Sequence, residues 1–183
     1  MPTDHPHEVA RRRFESIVDE VFDPLQRYLR RRLPADQVDD VLSETLLVVW
    51  RRLGDVPDEA VLPWCYSVAR GCLANHRRST ERRMALTRRI EAQPAPAPDA
   101  SAPDDPELEL AIARLSGSDR ELVRLWAWEE LEPREIASVT GLTANAVSLR
   151  LTRVKKKLEK ELRRQNRPRA GHVRVESTKE AQR

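Results

Sequence analysis

Pro133 to Leu162 reads PREIASVTGLTANAVSLRLTRVKKKLEKEL, and the order of residue types in it calls for two helices joined by a tight turn. Pro133 suits the first helical position, where a missing N–H leaves nothing unsatisfied, and Gly141 suits the end, where φ turns positive. Thr143 is placed to cap a second helix through its hydroxyl. Ala137, Gly141 four residues on and Val147 six further supply a small residue at a helix crossing, a left-handed turn and an apolar anchor. That is the spacing of a helix-turn-helix. Val147, Leu151, Val154, Leu158 and Leu162 make one apolar stripe that must face a core. At about 100° per residue, Asn145, Ser148, Leu149, Thr152, Arg153 and Lys156 then point outward, with Arg150, Lys155 and Lys157 on the flanks.

An outward face of short polar side chains flanked by cations suits a helix lying in a major groove, with phosphates on either side. The bland alternative is a solvated amphipathic helix. Upstream, Ser118 with Glu121 three residues on predicts a capping box for a helix over Leu122 to Trp128, after a short helix centred on Ile112. Trp126 and Trp128 look like a base-stacking pair, but two residues apart on a helix they face different ways, so at least one belongs to the core or to an interdomain surface. Between Ala92 and Pro106 the chain holds five Pro, five Ala, three Asp, one Ser and one Gln. This composition is that of a linker favouring extended structure, able to hold its flanking segments apart as separate bodies.

In the first half, Phe14, Ile17, Val18, Val21, Phe22, Leu25, Tyr28 and Leu29 recur at threes and fours and predict a helix ending before Pro34. A second helix is expected from Asp36, as its N-cap, through Val38, Val41, Leu42, Thr45, Leu46, Val49 and Leu53 to Gly54. After the polar loop Asp55 to Glu59 a third carries Leu62, Cys65, Val68, Ala69, Cys72 and Leu73 into Arg77 and Arg78, with Pro63 in its first turn. No strand alternation, repeat or Gly-rich phosphate loop is present. The expected fold is all-α, with two small helical domains at residues 10–90 and 107–165, a Pro/Ala-rich linker at 91–106 and a basic, disordered tail at 166–183.

Composition narrows the function. The chain has 183 residues, 34% charged and 4% aromatic, with a net charge of +3. Its longest aliphatic run, Leu46 to Trp50, is far short of the ~18 apolar residues a membrane span needs. Asp4, His5, His7 and Glu8 precede no apolar run, so no secretory signal is expected and the protein is placed in the cytoplasm. Charge comes in blocks: four basic and eight acidic residues from Phe14 to Glu44, seven Arg and one Glu from Tyr66 to Ile90, eight Lys or Arg and two Glu from Thr143 to Arg164. Two basic segments and one acid-rich segment suggest two anionic contacts and one protein contact. No carboxylate–His cluster has catalytic spacing, so no enzyme, catalytic residue or cofactor is expected. Cys65, Cys72 and His76 share a helical face, but with no fourth ligand nearby they read as buried small side chains rather than a metal site.

At this point the chain resembles the extracytoplasmic-function (group four) sigma factors of the sigma-70 class. VDDVLSETLLVVWRRL (Val38 to Leu53) is similar to the family's regions 2.1 to 2.2, LPWCYSVARGCLANHRRSTERR (Leu62 to Arg83) to regions 2.3 and 2.4, and ELVRLWAWEELEPREIASVTGLTANAVSLRLTRVKKKL (Glu121 to Leu158) to regions 4.1 and 4.2. The resemblance implies an initiation factor that binds core RNA polymerase and reads the −10 and −35 promoter elements. It implies that Asp39, Asp40, Glu44 and Trp50 bind the β′ clamp helices, and that Trp64, Asn75, Arg77 and Arg78 read the −10 element. Asn145, Ser148, Leu149, Arg150, Thr152, Arg153, Lys155 and Lys156 would contact the −35 element, and region 4 would contact the β subunit. Promoter DNA and a dedicated anti-sigma factor are the other implied partners. Ser43, Leu46 and Gly71 stand where the family often has Gln, Phe and Asn. Ser148 and Leu149 replace commoner basic and Ser residues, which favours apolar contact with a thymine methyl over phosphate pairing. The rival reading is an autonomous helix-turn-helix repressor binding a palindromic operator as a dimer.

Overall fold

In a computed structural model that describes residues 6–87 and 106–165, the apolar periodicity of the first half produces three helices, α1 (Pro6–Arg30), α2 (Ala35–Arg51) and α3 (Val61–Thr87). Helix α1 begins well before Phe14. Glu8 pairs with Arg11 and Arg12 at 2.8 and 3.3 Å, and Arg13 donates to the Val56 carbonyl and the Asp58 carboxylate, each at 2.8 Å. Its early turns are thus tied to the chain beyond α2. Asp36 does not cap α2; Pro34 occupies that position with no side-chain bond, and Asp36 sits in the first turn, where its charge meets the positive end of the helix. The helix stops at Arg51, short of Gly54, and a 3-10 turn at Leu53–Asp55 follows. Val38, Val41, Leu42, Thr45 and Val49 are buried, and Thr45 satisfies its hydroxyl by donating to the Val41 carbonyl at 2.7 Å.

The second half is α4 (Pro106–Ala113), α5 (Gly117–Ala127), α6 (Pro133–Thr140) and α7 (Ala144–Gln165), and no strand occurs among the described residues. The capping box expected at Ser118 and Glu121 does not form. Ser116 caps α5, accepting from the Asp119 amide at 3.2 Å, because the Glu121 carboxylate is drawn across to the first half of the chain. Ser118 instead accepts from Arg150 at 2.8 Å, and Arg150 also reaches Asp119 at 2.9 Å. A reciprocal capping box does close α6, between Glu132 and Glu135. The turn follows the sequence reading: Pro133 opens α6, Gly141 takes φ 75°, and Thr143 accepts from the Ala146 amide at 3.2 Å to start α7.

A small cluster of Ile112, Leu115, Val123 and Val154, with Leu108, Trp128 and Leu158 against it, ties α4, α5 and α7 together. The larger core runs through both halves, from Ile17, Leu25, Tyr28, Val38, Tyr66 and Leu73 to Leu122, Leu125, Leu131, Ile136, Val139, Val147 and Leu151. Helix α3 lies against α6. The two halves therefore pack on each other: each half alone is small enough to be marginal, and joining them buries apolar surface that neither covers itself. Of the linker expected at 91–106, Pro106 opens α4 and residues 91–105 lie outside the described residues, as does the tail expected at 166–183.

Two glycines separate backbone strain from steric crowding, since a Cβ added at Gly71 or Gly141 meets nothing within 4 Å. Gly71→Ala, inside α3, should raise stability by about 0.5–1 kcal/mol, while Gly141→Ala at positive φ should lower it by about 1–2 kcal/mol; urea unfolding midpoints measure both. Burial pushes the Asp119 carboxyl up, but the Ser116 hydroxyl and the Arg150 guanidinium outweigh it and hold it below its ordinary value. A lowered folded pKa means that the stability it contributes is present above the unfolded value of about 4 and is lost as pH falls toward the folded one. Urea midpoints taken between pH 5 and 3 should therefore fall more steeply in the wild type than in Arg150→Gln.

Candidate nucleic-acid interface

The stripe Val147, Leu151 and Val154 is buried, and this rotates the opposite face of α7 to solvent. Asn145, Ser148, Leu149, Thr152, Arg153 and Lys156 are all exposed, as the helical arithmetic requires. Ser148 and Thr152 donate to the carbonyls of Ala144 and Ser148 in their own helix, at 3.0 and 2.9 Å, leaving hydroxyl lone pairs outward. Leu149 is 51% exposed, an apolar side chain on a face otherwise polar and cationic. The two flanks differ. Arg150 is tied to Ser118 and Asp119 at the start of α5, and the Lys155 ammonium lies 3.3 Å from the Trp126 ring centroid, a cation–π contact. Trp126 is itself 41% exposed, whereas Trp128 packs on the smaller core; the two tryptophans face different ways.

On α3, Trp64 is half-buried, with the Arg52 guanidinium 5.3 Å from its ring centroid. Asn75, Arg77 and Arg78 are exposed. Arg78 donates to the Asn75 carbonyl oxygen at 2.6 Å, and Arg77 to the Arg32 backbone carbonyl at 3.3 Å. Gly71 lies on the same exposed surface. Along α2, Asp39, Asp40 and Glu44 are exposed, and Trp50, 43% exposed, meets Phe14 edge-on with centroids 5.1 Å apart. Acidic and aromatic candidates thus share the outer surface of one helix whose inner surface is core.

Cys65 and Cys72 are buried. Burial pushes the Cys65 thiol up to about 12 and raises Cys72 as well, which disfavours the thiolate a metal or oxidant needs. His76 is 2.9 Å from the Gln37 side-chain oxygen. Among the described residues no group of three His, Cys, Asp or Glu is placed to hold a metal ion, and no helix is long and apolar enough to cross a membrane.

The sequence reading missed a cluster that joins the halves. Arg32, its side chain 1% exposed, pairs with Glu129, also 1% exposed, at 3.0 Å, and with Glu121 at 3.1 Å. Arg31 also pairs with Glu129. The Arg32 guanidinium stacks 3.6 Å over the Tyr28 ring, and Tyr28 donates its hydroxyl to Glu121 at 3.2 Å. Burial, first, and the nearby carboxylates push the Tyr28 hydroxyl well above its ordinary range, against the opposing Arg32 charge. The three arginines at 30–32 and the glutamates at 129–130 are visible as local charge, but no periodicity connects residues almost a hundred positions apart.

Comparison with known proteins places this geometry. Residues 106–158 match the family model "Sigma-70, region 4", the segment holding α4 to α6 and most of α7. The chain is similar to the ECF RNA polymerase sigma factor SigL of Mycobacterium tuberculosis, 29% identical over 146 residues, covering 74% of this chain and 81% of that one. It is also similar to the "Probable RNA polymerase sigma factor RfaY" of Xanthomonas campestris, 28% identical over 68% of this chain, and it spans about a third (34%) of that relative's length. Among solved structures, the sigma factor RpoE bound to the anti-sigma factor NepR from Bartonella quintana superposes with a TM-score of 0.62 at 17% identity, covering 82% of this chain and 96% of that one. CnrH in complex with the cytosolic domain of CnrY gives 0.58 at 23%, covering 84% and 90%. These two carry the fold. The family model thus matches the second half of the chain, and relatives similar to it through both halves are sigma factors of RNA polymerase.

Proposed function

We propose that this chain is a transcription initiation factor that binds core RNA polymerase and directs it to promoters, without catalysis of its own. The observation that carries the reading is the face of α7: Asn145, Ser148, Leu149, Thr152 and Arg153 stand exposed on a helix whose opposite face is locked into the core. A helix so held presents base-reading groups at fixed azimuth. Arg153 and Lys156 supply charge for base or phosphate, and Leu149 supplies an apolar contact matched to a thymine C5-methyl in the −35 element. Arg150 and Lys155, being engaged by Asp119 and by Trp126, steady the helix and meet phosphates only at the edge of the groove. On α3, Trp64, Asn75, Arg77 and Arg78 are assigned to the −10 strand. Asp39, Asp40, Glu44 and Trp50 on α2 are assigned to the β′ clamp helices, and the second domain to the β subunit. Solved relatives are held by partner proteins, and an anti-sigma partner is proposed here too, acting in the cytoplasm. No observation favours an autonomous repressor.

Run-off transcription with core polymerase on a pool of promoter fragments tests this reading. Discrete transcripts should require both proteins; polymerase-independent footprints on duplex DNA with no transcripts would replace it with the repressor. Arg153→Ala should cost the holoenzyme about 1–3 kcal/mol of promoter binding at one base-pair position. A loss uniform across sequences would reassign Arg153 to phosphate, and no loss would remove it from the interface. Leu149→Ser should reduce discrimination for thymine at one −35 position by about tenfold, measured by binding to a randomised −35 library.

A further inference from the structure

Helix α5 passes beneath α7 and shows at both edges of its outward face. Arg150 and Lys155, about 140° apart around α7, stand at those two edges, and each meets α5: Arg150 at Ser118 and Asp119, Lys155 at Trp126. We propose that Trp126 is a positioning residue that holds the Lys155 ammonium against a backbone phosphate of one promoter strand, so that α5 serves DNA binding from outside the base-facing set of α7. The proposal deepens the sigma-factor reading and rests on it, because that reading puts the outward face of α7 in the major groove.

The place of the ring follows from the end of α5. Leu125 is fully buried and Trp128 packs on the smaller core. Trp126, about 100° from one and 200° from the other, is therefore turned out of the domain and stays 41% exposed. The chain is fastened around it: the Trp128 amide donates to the Arg124 carbonyl at 3.0 Å, and the Leu131 amide to the Leu125 carbonyl at 3.1 Å. The backbone under the indole is thus fixed. The Lys155 ammonium lies 3.3 Å from the ring centroid, and because Lys155 is itself exposed, an anion can reach the ammonium from solvent.

The two edges differ in charge. At the Arg150 edge, Asp119 sets a carboxylate against Arg150 and Lys157, which repels a phosphate as it satisfies the cations. At the Lys155 edge the partner is a neutral ring, so the cation is held without being neutralised. Among the described residues Lys155 has no carboxylate partner. A loose lysine gives up rotamer freedom when it meets a phosphate; one already seated on a ring has given up part of it beforehand, and binding gains by that amount. Lys155 follows Ser148 by seven residues and Thr152 by three, so the pinned ammonium stands on the same side of α7 as these two hydroxyls. That side borders the backbone of one strand when the helix lies in the groove.

The test measures promoter binding by holoenzyme assembled from core polymerase and the full-length chain, on fragments recovered by the run-off selection, over a series of salt concentrations. Lys155→Gln should reduce the slope of log affinity against log salt by about 0.9, as one lost phosphate contact does, equally on fragments that differ at single −35 base pairs. Trp126→Ala keeps every charge and should weaken binding about two- to fivefold. Trp126→Phe, which retains a ring under the ammonium, should stay within about twofold of wild type. In the Lys155→Gln background Trp126→Ala should cost nothing further, since the ring acts through the lysine. Circular dichroism checks that each variant keeps its helix content, and Lys155→Gln with Trp126→Phe decides the matter if Trp126→Ala folds poorly. An unchanged salt slope in Lys155→Gln would overturn the phosphate contact. An equal Trp126→Ala loss in both backgrounds, or a Trp126→Phe loss as large as that of Trp126→Ala, would overturn the positioning role. Each of these outcomes leaves the sigma-factor reading standing, because wild-type holoenzyme still binds promoters. A wild-type chain that neither assembles with core polymerase nor yields promoter-bound complexes would overturn that reading, and the role of Trp126 with it.

Discussion

A guanidinium with 1% of its side chain exposed has to find its anions inside the protein, and Arg32 finds them on the other half of the chain. Leaving such a charge unpaired by removing a partner costs about 3–5 kcal/mol, a large part of the stability of a small domain. The pairing with Glu121 and Glu129 consequently decides much else. It pulls Glu121 away from the end of its own helix and leaves capping to Ser116. It seats Tyr28 between Arg32 and Tyr66. It brings α5 and α6 onto the face of α1 and α3, where the apolar core can close behind the ions.

Around this contact the second domain is built from local rules. Pro133, the Glu132–Glu135 capping box, Gly141 in the left-handed region and Thr143 as a cap leave α6 and α7 little choice of relative direction. The core stripe of α7 then sets the azimuth of its outer face. The Arg150–Asp119 pair fastens α7 to the start of α5, so the exposed residues of α7 are held by two independent devices, packing on one side and an ion pair on the flank. Lys155 over Trp126 adds a third, weaker tether.

The first domain divides its labour by helix face. Alternation of apolar and charged positions on α2 puts Val38, Val41, Leu42, Thr45 and Val49 inside, with Asp39, Asp40 and Glu44 outside. The same division on α3 buries both cysteines and leaves Asn75, Arg77 and Arg78 exposed. Two opposite surface charges on adjacent helices then suit a protein contact on one side and nucleic acid on the other.

The helices themselves, the turn at Gly141 and the outward set on α7 were legible in the sequence, because periodicity, glycine and caps act within a few residues and need no knowledge of the rest of the chain. Helix ends were less legible: Asp36 and Ser118 are good caps by type, yet Pro34 and Ser116 hold those positions, since a cap is chosen by where the chain enters and by what else competes for the side chain. The engagement of Arg150, the cation–π seat of Lys155 and the Arg32–Glu121–Glu129 cluster belong to tertiary structure alone. Sequence displays each of these charges but not its partner, because the attraction between ions depends on distance and burial in three dimensions, and those exist only once the core that excludes water from them has formed.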